Sequence, residues 1–430
     1  MGGRQAATGV CRPAAHPLTI PRIGNPPMSI ESILIVGGGL AGFTVAQNLR
    51  TRGFTGTIDI IDPAGIPYDR PPLSKAYLLG DKDAAGIELA PASWFAEHRV
   101  GLVRATVHAL ATEPLGVELG DGRKLHADTL VLATGGSARP LPVAGGDLDS
   151  VLVLRSRADA DTLRGKLAPG IRLAIVGAGL IGAEVASSAL ALGAEVTLID
   201  PLETPLVPAV GPELAHRLHA MHAGAGITVV HGTPAGIKRT GAGHRIELAD
   251  GRVIECDEVL VGIGIIPNTA LARAAGLATE NGVLVDEHQR TSHPGVFAVG
   301  DMARTRSADG TLQRRGEHWE HAMNTGATAA AAILGQEPPV HGASWFWSDR
   351  HGTHVEGVGD MNAEGTTILR LKEGEPVAAF NVAADGRMLG AAAIDGGLMI
   401  RAARRIIDRG IVVPAEALAD PEVPLKKLAR

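Results

Sequence analysis

The stretches ILIVGGGLAG (residues 33–42) and LAIVGAGLIG (residues 173–182) show that one pattern occurs twice in the chain. Each stretch is an apolar run that passes through a Gly-x-Gly-x-x-Gly turn into an Ala- and Val-rich helical segment. Each helical segment stops at a glycine, and an apolar strand ending in an acid follows, with Asp62 in the first copy and Asp200 in the second. Strand, glycine turn, helix and strand in this order predict a right-handed βαβ unit, present twice.

The glycine turns predict two bound dinucleotides. In such a turn the first glycine permits the tight bend, the second lets the backbone approach a pyrophosphate, and the third lets the helix pack on the strand. The helix N-terminus then faces the phosphates, and the acid at the end of the next strand can accept a ribose hydroxyl. One such turn is a weak signal, but two complete copies are a strong one. The glycines are Gly37, Gly39 and Gly42 in the first turn and Gly177, Gly179 and Gly182 in the second.

The residues after the second copy favour NADH over NADPH. Asp200 would repel a 2′-phosphate, and the next residues, Pro201, Leu202 and Glu203, include no basic side chain to receive one. The alternative is that Asp200 only ends its strand.

Composition limits the classes of function. The chain has 430 residues, 45% of them hydrophobic, which is enough for two or three domains. A net charge of -6 gives no sign of general nucleic-acid binding, and no apolar run has the length of a membrane span. Cys11 and Cys256 form no Cys-x-x-Cys pair, which excludes a dithiol centre and a disulfide framework. We expect Cys256 to be a small buried hydrophobic residue, and we predict no bound metal.

The first 28 residues are predicted to be a disordered leader. They are rich in Gly, Ala and Pro and contain no continuous apolar segment, so a secretory signal is not expected, and Met28 is an alternative start. We therefore expect a cytoplasmic protein, either a monomer or a homodimer.

Four further stretches carry candidate site residues. TLVLATGGSARPLP (129–142) is a strand that runs into a glycine turn, and NGVLVDEHQRTSHPGVFAVGD (281–301) ends a strand in Gly-Asp, where an acid can hold a polyol hydroxyl. PYDRPPLSK (67–75) is a rigid proline loop with two basic residues, and EHWEHAMNTGATAAAAILG (317–335) becomes a helix of small residues. The proline loop contains Ser74 and no cysteine, so a thiol-based covalent intermediate is excluded there.

Together with VGIGIIPNTALA (261–272), FWSD (346–349) and the closing stretch that begins MLGAAAIDGG (388–397), these motifs resemble the FAD-dependent, NADH-linked ferredoxin reductases of bacterial oxygenase systems. The resemblance extends from about residue 30 to the C-terminus, and PYDRPPLSK and FWSD are its specific parts. It implies an α/β fold with two Rossmann-like dinucleotide-binding domains of the disulfide-reductase-like flavoprotein kind and a smaller α+β C-terminal domain. The predicted boundaries are 29–140 with 266–338 for FAD, 141–265 for NADH and 339–430 for the C-terminal domain.

The resemblance also implies the site residues. Lys75 and Glu184 match a lysine near flavin N5 and a carboxylate near the nicotinamide, and we predict that they pair. A solvated helix position for Glu184, and a solvated loop position for Lys75, are the alternatives. The predicted FAD-binding residues are Gly37, Gly39, Leu40, Ala41, Gly42, Asp62, Arg70, Lys75, Val107, Ala133, Thr134, Gly135, Arg139, Gly300, Asp301 and Trp319. The predicted NAD-binding residues are Gly177, Gly179, Leu180, Ile181, Gly182, Glu184, Asp200 and Gly264.

The implied activity is transfer of a hydride from NADH to FAD, followed by transfer of single electrons to a 2Fe–2S ferredoxin or a rubredoxin that feeds an oxygenase. Because these partners are acidic, a basic docking face is expected. Its candidates are Arg314, Arg315, Arg401, Arg404, Arg405 and Arg409. Two alternatives stay open: a small-molecule acceptor such as a quinone or monodehydroascorbate, and a non-catalytic NADH-sensing flavoprotein resembling apoptosis-inducing factor.

The chain departs from the family pattern at three places. Thr325 replaces a frequent Gln, Trp345 replaces a frequent Tyr, and GGLMIR (396–401) replaces a polar stretch. The last departure lies in the predicted C-terminal domain.

Overall fold

Twin parallel sheets form the two larger parts of the molecule. The computed structural model describes residues 30–241 and 243–430, so the predicted leader, with Cys11 and Met28, lies outside the described residues. The helices are α1 (Leu40–Thr51), α2 (Ala76–Leu79), α3 (Ala92–Glu97), α4 (Arg157–Lys166), α5 (Leu180–Ala191), α6 (Val207–Val210), α7 (Pro212–Gly224), α8 (Ala270–Ala274), α9 (Trp319–Ile333), α10 (Gly397–Arg409), α11 (Ala415–Ala419) and α12 (Leu425–Leu428).

The first glycine turn follows the central strand of the first parallel sheet. The first strands of the chain are β1 (Ser32–Val36), β2 (Thr57–Ile61), β3 (Val100–Val103), β4 (Val107–Thr112), β5 (Leu115–Leu119), β6 (Lys124–His126), β7 (Thr129–Leu132) and β8 (Gly136–Ala138). β1 pairs with β2 on one side and β7 on the other, and β2 pairs with β3, all in parallel. β4, β5 and β6 form a separate antiparallel meander.

The second glycine turn follows the central strand of a second sheet with the same arrangement. The strands of this part are β9 (Val151–Leu152), β10 (Arg172–Val176), β11 (Glu195–Asp200), β12 (Thr228–His231), β13 (Pro234–Thr240), β14 (Gly243–Leu248), β15 (Val253–Cys256) and β16 (Glu258–Val261). The parallel order is β12-β11-β10-β16-β9, and β13, β14 and β15 form a second antiparallel meander. The repeat seen in the sequence is therefore a repeat of topology.

The chain then returns to the first sheet. The returning strands are β17 (Ile265–Pro267), β18 (Val283–Val285), β19 (Val296–Ala298) and β20 (Ala303–Thr305). β19 adds in parallel to the edge of the first sheet beside β7, which completes the order β19-β7-β1-β2-β3. β17 pairs with β8, so the segment that leaves the first sheet and the segment that returns to it run side by side. From this arrangement we propose residues 29–140 with 266–338, 141–265 and 339–430 as the domain limits.

The C-terminal part is an antiparallel sheet covered by α10. Its strands are β21 (Trp345–Arg350), β22 (Thr353–Gly359), β23 (Thr366–Lys372), β24 (Glu375–Val382) and β25 (Met388–Ile394). They are ordered β21-β22-β25-β24-β23. α10 buries Ile400, Ala403 and Ile406 against this sheet. With two parallel-sheet units and this third part, the predicted fold class is confirmed.

Burial explains why the parallel strands are nearly all apolar. Helices α1 and α9 cover one face of the first sheet and the β4–β5 strands cover the other, so side chains pointing to either face are buried. Ile33 and Ile35 of β1 belong to one core cluster, and Leu34 and Val36 belong to the cluster on the opposite face. Within the described ranges, no helix has the length and hydropathy needed to span a membrane.

Candidate functional site

The glycines of the two turns meet different constraints. Gly37 and Gly177 have φ values of +112° and +104°, and a Cβ added at Gly177 would lie 2.5 Å from the carbonyl oxygen of Gly262. A Cβ at Gly182 would overlap the carbonyl oxygen of Gly177. A Cβ at Gly179, by contrast, would have no described atom within 4 Å. The first and third glycines are therefore required by the fold, whereas the second leaves open space where a phosphate can approach.

The acids Asp62 and Asp200 hold the glycine turns in place. Asp62 accepts hydrogen bonds from the backbone N–H of Gly38, at 2.7 Å, and of Ala64, at 2.8 Å. Asp200 accepts the equivalent bonds from Ala178, at 2.7 Å, and Leu202, at 2.8 Å. Each carboxylate thus fixes the residue between the first two glycines of its turn. A carboxylate has about four lone-pair positions, so acceptor capacity remains for a ribose hydroxyl.

Arg70 faces the first turn from the proline loop. Its Nη1 lies 3.4 Å from the position that a Cβ at Gly39 would take. Its Nε is buried and has no hydrogen-bond partner among the described residues. Burial, together with the nearby charge of Arg155, lowers the pKa of Arg70. A buried guanidinium without an acceptor, beside the open glycine, fits the pyrophosphate of a dinucleotide.

Arg155 is a site residue that the sequence did not reveal. Its Nη2 is 2.6 Å from Oδ2 of Asp301, the acid of the predicted Gly-Asp motif, and its Nε donates to the carbonyl of Gly136 at 2.8 Å. Arg155 directly precedes the capping box of α4, formed by Ser156 and Asp159. A basic residue just before such a box is the only signal that the sequence contained.

Lys75 and Glu184 form the predicted pair, although they are 109 residues apart in the chain. Lys75 Nζ lies 3.3 Å from Glu184 Oε1 and 3.1 Å from Asp349 Oδ2. Ser74 donates to Glu184 Oε2 at 2.5 Å, and Ser348 donates to Oε1 at 2.7 Å. Glu184 is only 4% exposed, so the alternative of a solvated helix position is wrong for this residue. Lys75 is likewise anchored between two carboxylates rather than solvated.

Arg350 adds a second cation behind Glu184. It is 2% exposed, and its Nη2 donates to Ser348 Oγ at 3.0 Å. Burial lowers the pKa of Arg350 to about 10, against the opposing charges of Glu184 and Asp349. Two cations and two hydroxyls thus compensate for the buried carboxylate.

The C-terminal sheet closes the site with tryptophans. Trp347 stacks on Trp345 with ring centres 4.9 Å apart and meets Trp319 edge-on at 5.9 Å. Lys75 Nζ lies 5.6 Å from the centre of the Trp347 ring. Trp319 Nε1 donates to Asp69 of the proline loop at 2.9 Å. The proline loop, the start of α9 and β21 therefore meet at Lys75.

Thr325 of α9 supports the Gly-Asp turn. Its hydroxyl accepts the backbone N–H of Gly300 at 2.9 Å and donates to the carbonyl of His321 at 2.8 Å. Thr325, one of the departures from the family pattern, is thus hydrogen-bonded to the backbone of the Gly-Asp turn.

The other predicted residues lie where helices begin and where strands begin or end. Leu40 and Ala41 begin α1, and Leu180 and Ile181 begin α5. Ala133, Thr134 and Gly135 follow β7, and Val107 begins β4. Gly264 has a φ of +104°. Arg139 is exposed, and its guanidinium donates to the carbonyl of Ile265 at 3.1 Å, beside the crossing between the sheets.

Two glycine turns at the ends of parallel strands, an orphaned guanidinium beside one of them and a buried lysine–glutamate pair between the units define a two-nucleotide flavoprotein oxidoreductase. The residues present fit FAD at the first turn and a nicotinamide nucleotide at the second. The chain belongs to the pyridine nucleotide-disulphide oxidoreductase family, whose model matches residues 31–326. The reductase C-terminal model matches residues 345–429.

Solved structures of ferredoxin reductases are similar over nearly the whole chain. The reductase in the covalent putidaredoxin reductase–putidaredoxin complex has 34% identity and a TM-score of 0.86, and the match covers 93% of this chain and 98% of that one. The ferredoxin reductase for the CYP199A2 system from Rhodopseudomonas palustris has 33% identity and a TM-score of 0.88, covering 93% and 100%. Fdr9 has 35% identity and a TM-score of 0.81, covering 92% and 99%. The protein is an FAD- and nicotinamide-dependent reductase.

Proposed function

We propose that this reductase takes a hydride from NADH and delivers single electrons to an acidic 2Fe–2S ferredoxin or rubredoxin that feeds an oxygenase. Bound FAD supplies the chemistry that joins a two-electron donor to a one-electron acceptor. The chain itself binds, orients and shields the two nucleotides. The relatives support the partner class, since one of them was solved in complex with putidaredoxin.

The Lys75–Glu184 pair acts by positioning. Every oxygen of Glu184 already accepts a hydrogen bond, and the carboxylate is buried. A carboxylate in that state holds its neighbours in one geometry. Alignment of the reacting groups is also the main contribution that a protein makes to hydride transfer.

Asp200 supports the choice of NADH. Its carboxylate is held at the open glycine turn, and exposed Leu202 and Glu203 follow it. A 2′-phosphate would meet this negative charge without a cation provided by those two residues. The expected outcome is a kcat/KM for NADH well above that for NADPH in steady-state assays.

The observation that carries the acceptor proposal is the exposed arginine face of α10. Arg401, Arg405 and Arg409 are exposed at four-residue spacing, on the side of the helix opposite the buried Ile400 and Ile406. The opposite side of the same helix packs on the sheet that carries Trp345 and Trp347. An acidic partner docked there would lie over the domain that closes the flavin site.

Two of the predicted docking residues do not belong to this face. Arg404 forms an ion pair with Glu320 of α9 at 2.7 Å. The side chain of Arg315 is 6% exposed, pairs with Glu317 and donates to the carbonyl of Asp301 at 2.6 Å. The expectation that these two arginines contact the partner is therefore corrected, because each already forms an ion pair with a glutamate of this chain. Arg314 remains exposed.

The test is charge reversal on the arginine face. The double variant Arg401→Glu/Arg405→Glu should raise the KM for an acidic ferredoxin at least about tenfold, since close charge pairs across an interface contribute 1.5 kcal/mol or more. NADH–ferricyanide activity should stay unchanged, and the difference between variant and wild type should shrink with added salt. Arg239→Glu, an exposed reversal on β13, is the matched control.

Other outcomes would replace the proposal. Unchanged ferredoxin kinetics in the double variant would remove α10 from the docking surface. Fast turnover with quinones or monodehydroascorbate, and none with ferredoxins or rubredoxins, would favour a small-molecule acceptor. Slow reduction by NADH with a long-lived charge-transfer complex would favour a sensing role.

A further inference from the structure

His354 lies at the outer end of a chain of charged groups that begins at the buried Glu184. Its Nδ1 is 2.5 Å from Asp349 Oδ1, and its Nε2 is 3.2 Å from Glu356 Oε1. The second oxygen of Asp349 binds Lys75 at 3.1 Å, and Lys75 binds Glu184. Asp349 therefore bridges the lysine of the flavin site and an imidazole that is 40% exposed to solvent.

The backbone makes this arrangement rigid. Asp349 of β21 and His354 of β22 are directly opposite partners in the antiparallel ladder, and Glu356 follows on the same face of β22. The backbone N–H of His354 donates to Asp395 Oδ1 at 2.9 Å, and the N–H of Asp395 donates back to the carbonyl of His354 at 2.7 Å. The ring of His354 is therefore held at both sides and at its own backbone.

The charges around His354 favour its cationic form. Partial burial opposes the charge, but the hydrogen bond and the charge of Asp349, with those of Glu356, outweigh burial and raise the pKa of His354. Burial alone would raise the pKa of Asp349, but hydrogen bonds from His354 and Lys75 lower it. Two further charged residues lie nearby. Asp395 accepts a hydrogen bond from the backbone N–H of His354. Arg401, at the start of α10, and Glu356 both have side-chain atoms near Gly397.

We propose that His354 is a positioning residue for the hydride-transfer step: it holds the Asp349 carboxylate so that the other oxygen of Asp349 fixes Lys75 against Glu184. The proposal rests on the proposed place of Lys75 beside the reacting rings. Without the imidazole, Asp349 loses one of its two cationic partners and is free to rotate about its side-chain bonds. Lys75 then keeps Glu184 but loses the second anchor that defines its direction.

Transient kinetics test the proposal in the FAD-loaded protein. His354→Ala should slow the reduction of flavin by NADH about tenfold, the rate equivalent of one lost charge-assisted hydrogen bond, with little change in the Kd for NADH. His354→Asn, whose amide can donate from nearly the place of Nδ1, should restore most of the rate. The wild-type rate should decline as the pH rises through the titration of His354, because the neutral ring is the weaker donor. The Asn variant should lack this pH dependence.

A spectroscopic measurement makes the test independent of turnover. In protein with isotope-labelled histidine and no NADH, the ring signals missing from His354→Asn identify His354. Asp349→Asn should move the titration of His354 to lower pH, because the carboxylate that favours the imidazolium form is gone. His126→Asn, at an exposed residue of β6, is the matched control and should leave both the rate and the titration of His354 unchanged. Melting temperature and the absorbance of bound FAD verify that each variant is folded.

The outcomes separate this inference from the proposed function. A wild-type reduction rate and pH profile in His354→Ala would overturn it, as would a His354 titration that is unmoved in Asp349→Asn. If NADH failed to reduce the flavin of the wild-type protein at all, the proposed function would fail, whereas the titration would still report on the contact between Asp349 and His354.

Discussion

Gly177, Gly179 and Gly182 occupy one turn, yet each is a glycine for a different physical reason. A side chain at Gly177 would face both a left-handed φ and the carbonyl of Gly262, and one at Gly182 would overlap the carbonyl of Gly177. Gly179 has a φ of -67° and open space around it. The second glycine therefore leaves space for the ligand, whereas the other two are required for the turn itself.

Gly179→Ala should consequently damage binding without damaging the fold. We expect the Kd for NADH to rise about tenfold, since a methyl group would push the phosphates away from the backbone N–H groups. The free energy of unfolding should change by less than about 0.5 kcal/mol. Titration calorimetry with NADH and urea denaturation measure the two quantities.

Gly177→Ala provides the contrast for this experiment, because it should lower stability and yield little folded protein. Tight NADH binding by Gly179→Ala, or full stability of Gly177→Ala, would show that the roles of the two glycines have been assigned wrongly.

Helix α9 supports the first nucleotide site through very small residues. A Cβ at Gly326 would lie 2.8 Å from the carbonyl oxygen of Ala41, so α9 and α1 approach as closely as their backbones allow. Thr325, the residue directly before this contact, accepts the N–H of Gly300. Gly326 and the alanines of this helix, which the sequence shows only as a small-residue segment, allow that close approach.

Thr325→Val should loosen the Gly300 turn. Valine has nearly the same shape but no acceptor, so the buried N–H of Gly300 loses its partner at a cost of about 1–3 kcal/mol. We expect a lower melting temperature and faster loss of FAD, measured by flavin absorbance after gel filtration. Thr51→Val, at an exposed position near the end of α1, controls for the loss of a threonine hydroxyl. Equal FAD retention in both variants would contradict the supporting role of α9.

A buried histidine pair joins the second parallel-sheet unit to the C-terminal sheet. His222 of α7 is fully buried, and its Nδ1 lies 2.9 Å from Nε2 of His351, which follows β21. Burial, together with the charge of Arg350 and the neighbouring His351 and His219, lowers the pKa of His222 to about 3. The contact between the two parts therefore requires a neutral imidazole.

Acid should weaken the folded state through this residue. Because the unfolded chain binds a proton near pH 6.5 and the folded chain does not, the contribution of His222 is fully present above pH 6.5 and falls as the pH drops toward 3. The expected loss is about 1.4 kcal/mol in the free energy of unfolding for each pH unit below 6.5. Urea denaturation at pH 7 and pH 5 measures this loss.

His222→Gln should make the pH dependence of stability shallower, because the substituted side chain does not titrate. His216→Gln, at an exposed residue of the same helix, should leave it unchanged. An identical slope in wild type and His222→Gln would assign the acid sensitivity to other groups.

The repeated βαβ unit, the glycines of both turns and the family can all be predicted from the sequence. These features depend on local spacing: a turn of this shape needs glycine at particular positions whatever surrounds it, and parallel strands covered on both faces must be apolar. The same local reasoning placed Asp62 and Asp200 at the strand ends, where the structure has them holding the turns.

Which charges pair within the fold and which stay exposed for a partner depends on how distant segments pack. Glu184 is buried between residues that are more than 100 positions away in the chain. Arg404 forms an ion pair with Glu320, and Arg155 forms one with Asp301, 146 positions away. Such contacts depend on how the sheets and the C-terminal part pack, and hydrophobic periodicity along the chain does not encode the partner of a charged side chain. The series of contacts from Glu184 through Lys75 and Asp349 to His354 is of the same kind, because it forms only where α5, the proline loop and the β21–β22 hairpin meet.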